Sequence, residues 1–107
     1  MDWIYILIAS VFEISWAVGL KYSEGFTQLK ATILTIITMI LSYVFLSLGA
    51  KDIPIGTAYA VWTGIGAVGT AIYGILFFNE PKELLRIAFI FLIVVGIVGL
   101  RLTYKNV

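Results

Sequence analysis

The chain alternates between long apolar runs and short polar segments. Four apolar runs stand out, at Trp3–Leu20, Ala31–Ala50, Ile55–Phe78 and Ile87–Leu100. A transmembrane helix needs about 20 predominantly apolar residues. The fourth run is shorter than that, but leucines extend it and the arginines at its two ends can direct their charges outward. The pattern predicts four transmembrane helices.

The segments between the runs are short and contain turn residues such as Ser23, Gly25, Asp52, Asn79 and Pro81. No linker separates the runs, so residues 1–107 are interpreted as a single four-helix transmembrane domain. Strands are excluded because no alternating barrel pattern is present and an open sheet edge cannot face lipid. The expected fold class is therefore all-α integral membrane protein.

Composition supports this class: 62% of the residues are hydrophobic and only 12% are charged. A soluble enzyme or a disordered chain of this size is excluded, because it could not hide so much apolar surface. The sequence contains no Cys and no His, so no metal site or cofactor is expected. The net charge of +1 without a basic run argues against nucleic acid as a partner.

The positive charges barely distinguish the two sides of the membrane. One side would carry four (Lys21, Lys30, Lys82, Arg86) and the other three (Lys51, Arg101, Lys105). Orientation in a membrane follows an imbalance of such charges. Two interpretations stay open: the single extra charge fixes one orientation, or the chain inserts both ways and two copies pair upside down. An antiparallel pair would supply the inverted symmetry that many transporters build from repeats.

Glu13 is the central candidate for chemistry, because it is the only acid or base between the ends of any span. It lies about 15 Å along the first span, near the bilayer midplane. An intramembrane acid is a functional-site hypothesis by default; the alternative is a neutral, hydrogen-bonded side chain that joins helices. A carboxylate that holds either a proton or a cation couples the two, because loading one expels the other.

Several side chains suit a cation beside Glu13. Trp16 and Ser10 lie on the same stripe of the first span, and the third span presents one face with Tyr59, Trp62, Thr63 and Gly66. Aromatic faces attract cations, and hydroxyls can orient a carboxylate. Ser42 ends a hydroxyl stripe (Thr35, Thr38, Ser42) on the second span. The alternatives are interfacial anchoring for the tryptophans and a bond back to its own helix for Ser42.

The glycines of the third and fourth spans favour close helix packing. Gly64, Gly66 and Gly69 match the dinucleotide fingerprint in letters, but they lie inside an apolar span without the strand that the fingerprint requires. We interpret them as packing positions that also permit a bend. Gly96 and Gly99 predict that the fourth helix packs against its symmetry mate, and a lipid-facing helix is the alternative.

In these features the chain resembles the small multidrug resistance transporters, and the resemblance covers essentially its whole length. The resemblance rests on the four spans, the acid in span one, the loop KYSEGFT at 21–27 and the segment PIGTAYAVWTGIG at 54–66. It implies a bacterial inner-membrane, multi-pass, dual-topology homodimer whose two Glu13 side chains share one site. It also implies proton-coupled export of cations rather than an enzyme activity.

The segment FEISWA at 12–17 and Ser42 are similar to the guanidinium-exporting branch of that family. The resemblance then implies that Ser42, Tyr59, Trp62 and Trp16 position Glu13 in a hydrogen-bonded network. Ser10 departs from the small apolar residue expected one turn before the acid, which bears on pocket size. The alternatives are a broad exporter of quaternary ammonium ions, a heterodimer with a second chain of the family, a passive channel and a non-transporting helper subunit.

Overall fold

The computed structural model describes residues 2–103 and contains four long helices in that range. They are α1 (Asp2–Tyr22), α2 (Leu29–Gly49), α3 (Ile55–Phe77) and α4 (Leu84–Thr103). Each is long and apolar enough to cross a membrane. The predicted spans are confirmed to within three residues at every end. Lys105, which entered the charge comparison, lies outside the described residues.

The helices run further into the connections than the polar residues indicated. Lys21 and Lys30 are helical, so the first loop covers only residues 23–28 rather than 21–30. Long basic side chains allow this, because their charged ends reach the interface while their backbone stays helical. α4 begins at Leu84 and continues to Thr103, taking in Arg86 and Arg101, as expected from the leucines that extend the short fourth run.

The first loop turns tightly around Ser23. Three consecutive residues after it, from Glu24 to Phe26, have positive φ angles. The buried Ser23 hydroxyl donates to the Leu20 carbonyl at 2.8 Å and accepts from the Phe26 backbone N–H at 3.2 Å. These bonds satisfy backbone groups where α1 ends, so α2 can return directly alongside α1.

Three helices pack together and the fourth lies outside them. α1 packs against both α2 and α3, whereas α4 packs along α3. α4 also reaches α1 through Arg101, whose guanidinium carbon lies 4.9 Å from the Trp3 ring centroid. The buried core is formed by residues of the first three helices and of the α2–α3 connection (Ile6, Ala9, Leu46, Ile53, Ala58, Val61, Trp62). None of residues 84–103 is buried. Glu13 lies on α1, which packs against both α2 and α3.

Candidate functional site

The Glu13 side chain projects from α1 against the backbone of α3. A Cβ atom added at Gly66 would collide with the Glu13 carboxylate, so only glycine leaves room for the acid at this point. The carboxyl oxygen Oε1 is buried and has no hydrogen-bond partner among residues 2–103. A buried polar atom without a partner in the protein points to a ligand, an ion or water as its partner. The seam between α1 and α3 therefore holds an acid with unused binding capacity.

A hydrogen-bonded relay joins three helices in the core. The Trp62 Nε1–H group on α3 donates to the Ser42 hydroxyl on α2 at 2.9 Å, and that hydroxyl donates to the Ala9 carbonyl of α1 at 2.7 Å. Ser42 is completely buried and Trp62 is 5% exposed. The alternative that Ser42 bonds back to its own helix is therefore wrong. The relay fixes the indole plane of Trp62.

Two tyrosines flank the Trp62 ring. The ring centroid of Tyr59 lies 5.6 Å and that of Tyr43 lies 5.5 Å from the Trp62 indole. Both tyrosines are about half-exposed in the single chain. Sequence reasoning missed Tyr43, because it lies one residue off the hydroxyl stripe that drew attention to Ser42. The signal that could have found it is an aromatic residue directly beside a buried serine.

Other predicted site residues do not join this cluster by hydrogen bonds. Ser10 is buried, but its hydroxyl donates to the Ile6 carbonyl of its own helix at 2.7 Å. The Trp16 Nε1 atom is buried and has no partner among the described residues. Thr63 is exposed in the single chain. The side chains of Thr35 and Thr38 likewise bond back within α2.

The predicted packing glycines fall into two groups. Gly64 and Gly69 on α3 oppose Ile97 of α4 and Ile14 of α1, and an added Cβ would overlap these side chains. Gly96 and Gly99 on α4 have nothing within 4 Å of an added Cβ. The first group thus packs helices within the chain, whereas the second group leaves an open face on α4.

Comparison with known proteins assigns the chain to a family. The family model described as Small Multidrug Resistance protein matches residues 1–93. The chain belongs to the small multidrug resistance family. It is thus an all-α, multi-pass protein of the bacterial inner membrane.

Similar members of the family carry a common description. The chain is 54% identical over 102 residues to a guanidinium exporter of Proteus vulgaris, covering 95% of this chain and 98% of the relative. It is 53% identical to a guanidinium exporter of Citrobacter freundii and 50% identical to one of Escherichia coli K12, each over 96% of this chain and 98% of the relative. These relatives are transporters rather than enzymes.

Proposed function

We propose that this small multidrug resistance protein exports guanidinium ions in exchange for protons, and that Glu13 binds the two in turn. The observation that carries the proposal is the Glu13 carboxylate, held against Gly66 with Oε1 unpartnered within residues 2–103. Full-length similarity to guanidinium exporters supports the choice of cargo.

The chemistry around Glu13 suits a small, planar cation with many N–H donors. A guanidinium group can bond a carboxylate through two parallel N–H groups. The Trp62 indole, fixed by Ser42, and the flanking Tyr59 ring offer aromatic faces that attract a cation by about 0.5–2 kcal/mol each. A quaternary ammonium ion has no N–H group and would use the aromatic faces alone. We also propose that the remaining predicted residues (Trp16, Ser10 and Thr63) line this site.

Coupling follows from the single acid. An unpaired carboxylate charge deep in hydrocarbon is costly. The Glu13 side chain is therefore either ionised and paired with a cation, or protonated and neutral. Binding of guanidinium therefore releases the proton, and protonation releases guanidinium. If the loaded site opens alternately to the two sides of the membrane, each cycle exchanges guanidinium for protons.

A complete site is proposed to need two copies of this four-helix domain, paired antiparallel. The near-equal positive charge of the two sides permits both orientations. The open face of α4 at Gly96 and Gly99 offers a surface where small residues let a second copy approach closely. Such a pair has the inverted symmetry suited to alternating access.

The test is guanidinium transport by the purified protein in phospholipid vesicles. An imposed pH gradient should drive guanidinium uphill, and Glu13→Gln should abolish this movement. Glu24→Gln is the matched control, because it makes the same change in the exposed first loop. Dissipation of the guanidinium gradient without proton coupling would indicate a channel and overturn the proposal. Equal transport of a bulky quaternary ammonium dye would favour the broader exporter.

A further inference from the structure

Besides the Glu13 carboxyl oxygen, a hydroxyl group along the α1–α3 seam has no partner among the described residues. The Thr70 Oγ1 atom on α3 is buried and has no hydrogen-bond partner among residues 2–103, as is also true of Glu13 Oε1. By contrast, the hydroxyls of several other threonines donate to the backbone carbonyl four residues earlier in the chain (Thr32, Thr35, Thr38, Thr103). Thr70 therefore retains both its donor and its acceptor capacity inside the protein.

Thr70 lies one helical turn from the point where Glu13 touches α3. Residues four apart on a helix have Cβ atoms about 6 Å apart on one face, so Thr70 is that far from the Gly66 position. Gly66 contacts the Glu13 carboxylate, and Gly69 contacts Ile14. The two helices thus stay in contact as the seam continues from Glu13 toward Thr70. A single water molecule can bridge a hydroxyl and a carboxyl group that are about 6 Å apart.

The next polar group along the seam is a pair of tyrosines. Tyr73 follows Thr70 by three residues on α3, and its hydroxyl lies 3.0 Å from the hydroxyl of Tyr22 at the end of α1. Tyr22 is 49% exposed. The path from Gly66 to Tyr73 is about 10 Å along the helix axis. Three hydroxyl groups therefore lead from the membrane acid toward the first-loop end of the molecule.

We propose that the Thr70 hydroxyl and the Tyr22–Tyr73 pair, bridged by water, form the route by which protons reach and leave Glu13 from the first-loop end. The inference rests on the proposed function, since it needs Glu13 to exchange protons. At each hydroxyl the oxygen accepts a proton from water on one side and its own proton passes to water on the other. The hydroxyl ends unchanged, and only a proton has moved.

The mouth of this route carries charged groups of both signs. Lys21 lies with its Nζ atom 5.9 Å from the Phe78 ring centroid, next to the tyrosine pair. The Glu80 carboxylate packs over Gly74 and pairs with Arg86 at 3.0 Å. Glu24 lies in the exposed first loop. The route thus opens into a polar region of mixed charge.

The decisive variant is Thr70→Val, which keeps the shape of the side chain and removes its hydroxyl. Two rates are measured in vesicles: guanidinium transport driven by a pH gradient, and guanidinium–guanidinium exchange at equal pH, which moves no net proton. We expect the proton-driven rate to fall about three- to tenfold, the equivalent of one lost hydrogen bond, while the exchange rate stays unchanged. Thr70→Ser should restore the proton-driven rate, and Tyr73→Phe should slow it in the same selective way.

The matched control is Thr32→Val, since the Thr32 hydroxyl bonds back to the Gln28 carbonyl. Equal slowing of both rates by Thr70→Val would mean a packing role and overturn the inference, as would no change in either rate. A wild-type protein that moves guanidinium without proton coupling would instead refute the proposed function itself.

Discussion

The Ser42 hydroxyl is a junction between three helices, because it accepts from Trp62 on α3 and donates to Ala9 on α1. Each of these partners is buried. A buried donor or acceptor that loses its partner in a membrane protein costs about 0.6–2 kcal/mol. One small side chain on α2 thus holds the aromatic wall of the proposed site in a fixed position relative to the helix that carries Glu13.

Ser42→Ala should therefore weaken guanidinium transport without removing it. The change leaves both the Trp62 Nε1–H group and the Ala9 carbonyl unpaired. We expect the KM for guanidinium to rise about three- to thirtyfold, which is the factor that corresponds to about 0.6–2 kcal/mol of lost hydrogen bonding. Thr38→Ala is the control, since the Thr38 hydroxyl bonds within α2. An unchanged KM in vesicle transport would show that the relay does not position Trp62 for binding.

Gly66→Ala tests the close approach of Glu13 to α3. The added Cβ would collide with the carboxylate, which must move or push the helices apart. We expect loss of most proton-driven transport and a lower melting temperature in detergent, because overpacking costs about 1–3 kcal/mol. Gly56→Ala is the matched control on the same helix, where an added Cβ meets nothing within 4 Å. Wild-type transport by Gly66→Ala would show that this contact is dispensable.

Sequence reasoning singled out Glu13, Ser42, Tyr59 and Trp62 from residue type and helical spacing alone. It could not predict that Ser42 bonds to Ala9, because that contact depends on how two helices rotate about their own axes. For the same reason it missed Tyr43 and Thr70. Helical spacing shows which residues share a face, but it does not show which face meets a neighbouring helix.

At the scale of whole helices, hydrophobic length predicted the structure well. Four spans were expected and four helices are present in residues 2–103. The error falls at the first connection, where Lys21 and Lys30 are helical rather than part of the loop. Arg86 and Arg101 lie within α4, as expected from the leucines that extend the fourth run. A charge ends an apolar run in the sequence but need not end a helix, because a long basic side chain can extend to the interface.

The role of α4 in pairing with a second copy can be tested by mutation. It packs along α3, touches α1 at Trp3 through Arg101, and has no buried residue from 84 to 103. If its open glycine face meets a second copy, Gly96→Ile should block that approach. We expect a shift from dimer to monomer in a cross-linking or sedimentation assay in detergent, together with loss of transport. Val98→Phe adds bulk on another face of the same helix and should preserve the dimer. A Gly96→Ile protein that still forms dimers would remove this face from the interface.

For the molecule as a whole, the proposal that one acid binds two ligands in turn fixes the sign of the pH dependence. In the proposed mechanism, protonated Glu13 carries no charge and releases guanidinium, so acidification should weaken binding. We expect the apparent KM for guanidinium to rise about tenfold for each unit that the pH falls, over the range in which Glu13 is mainly protonated. Transport is measured at equal pH on both sides to exclude a driving-force effect. A KM that does not change with pH would contradict competition for one site.

The near balance of positive charge is also a property of the whole chain, and it makes dual insertion testable. Gln28→Lys with Lys51→Gln should place five positive charges on the first-loop side against two on the other. Lys30→Gln and Lys82→Gln with Thr103→Lys should reverse the bias, to two against four. Because such a bias orients a membrane protein, each variant should insert in one direction only. Neither should transport guanidinium alone, whereas co-expression should restore export from cells. Full activity of either variant by itself would show that a functional unit does not need both orientations.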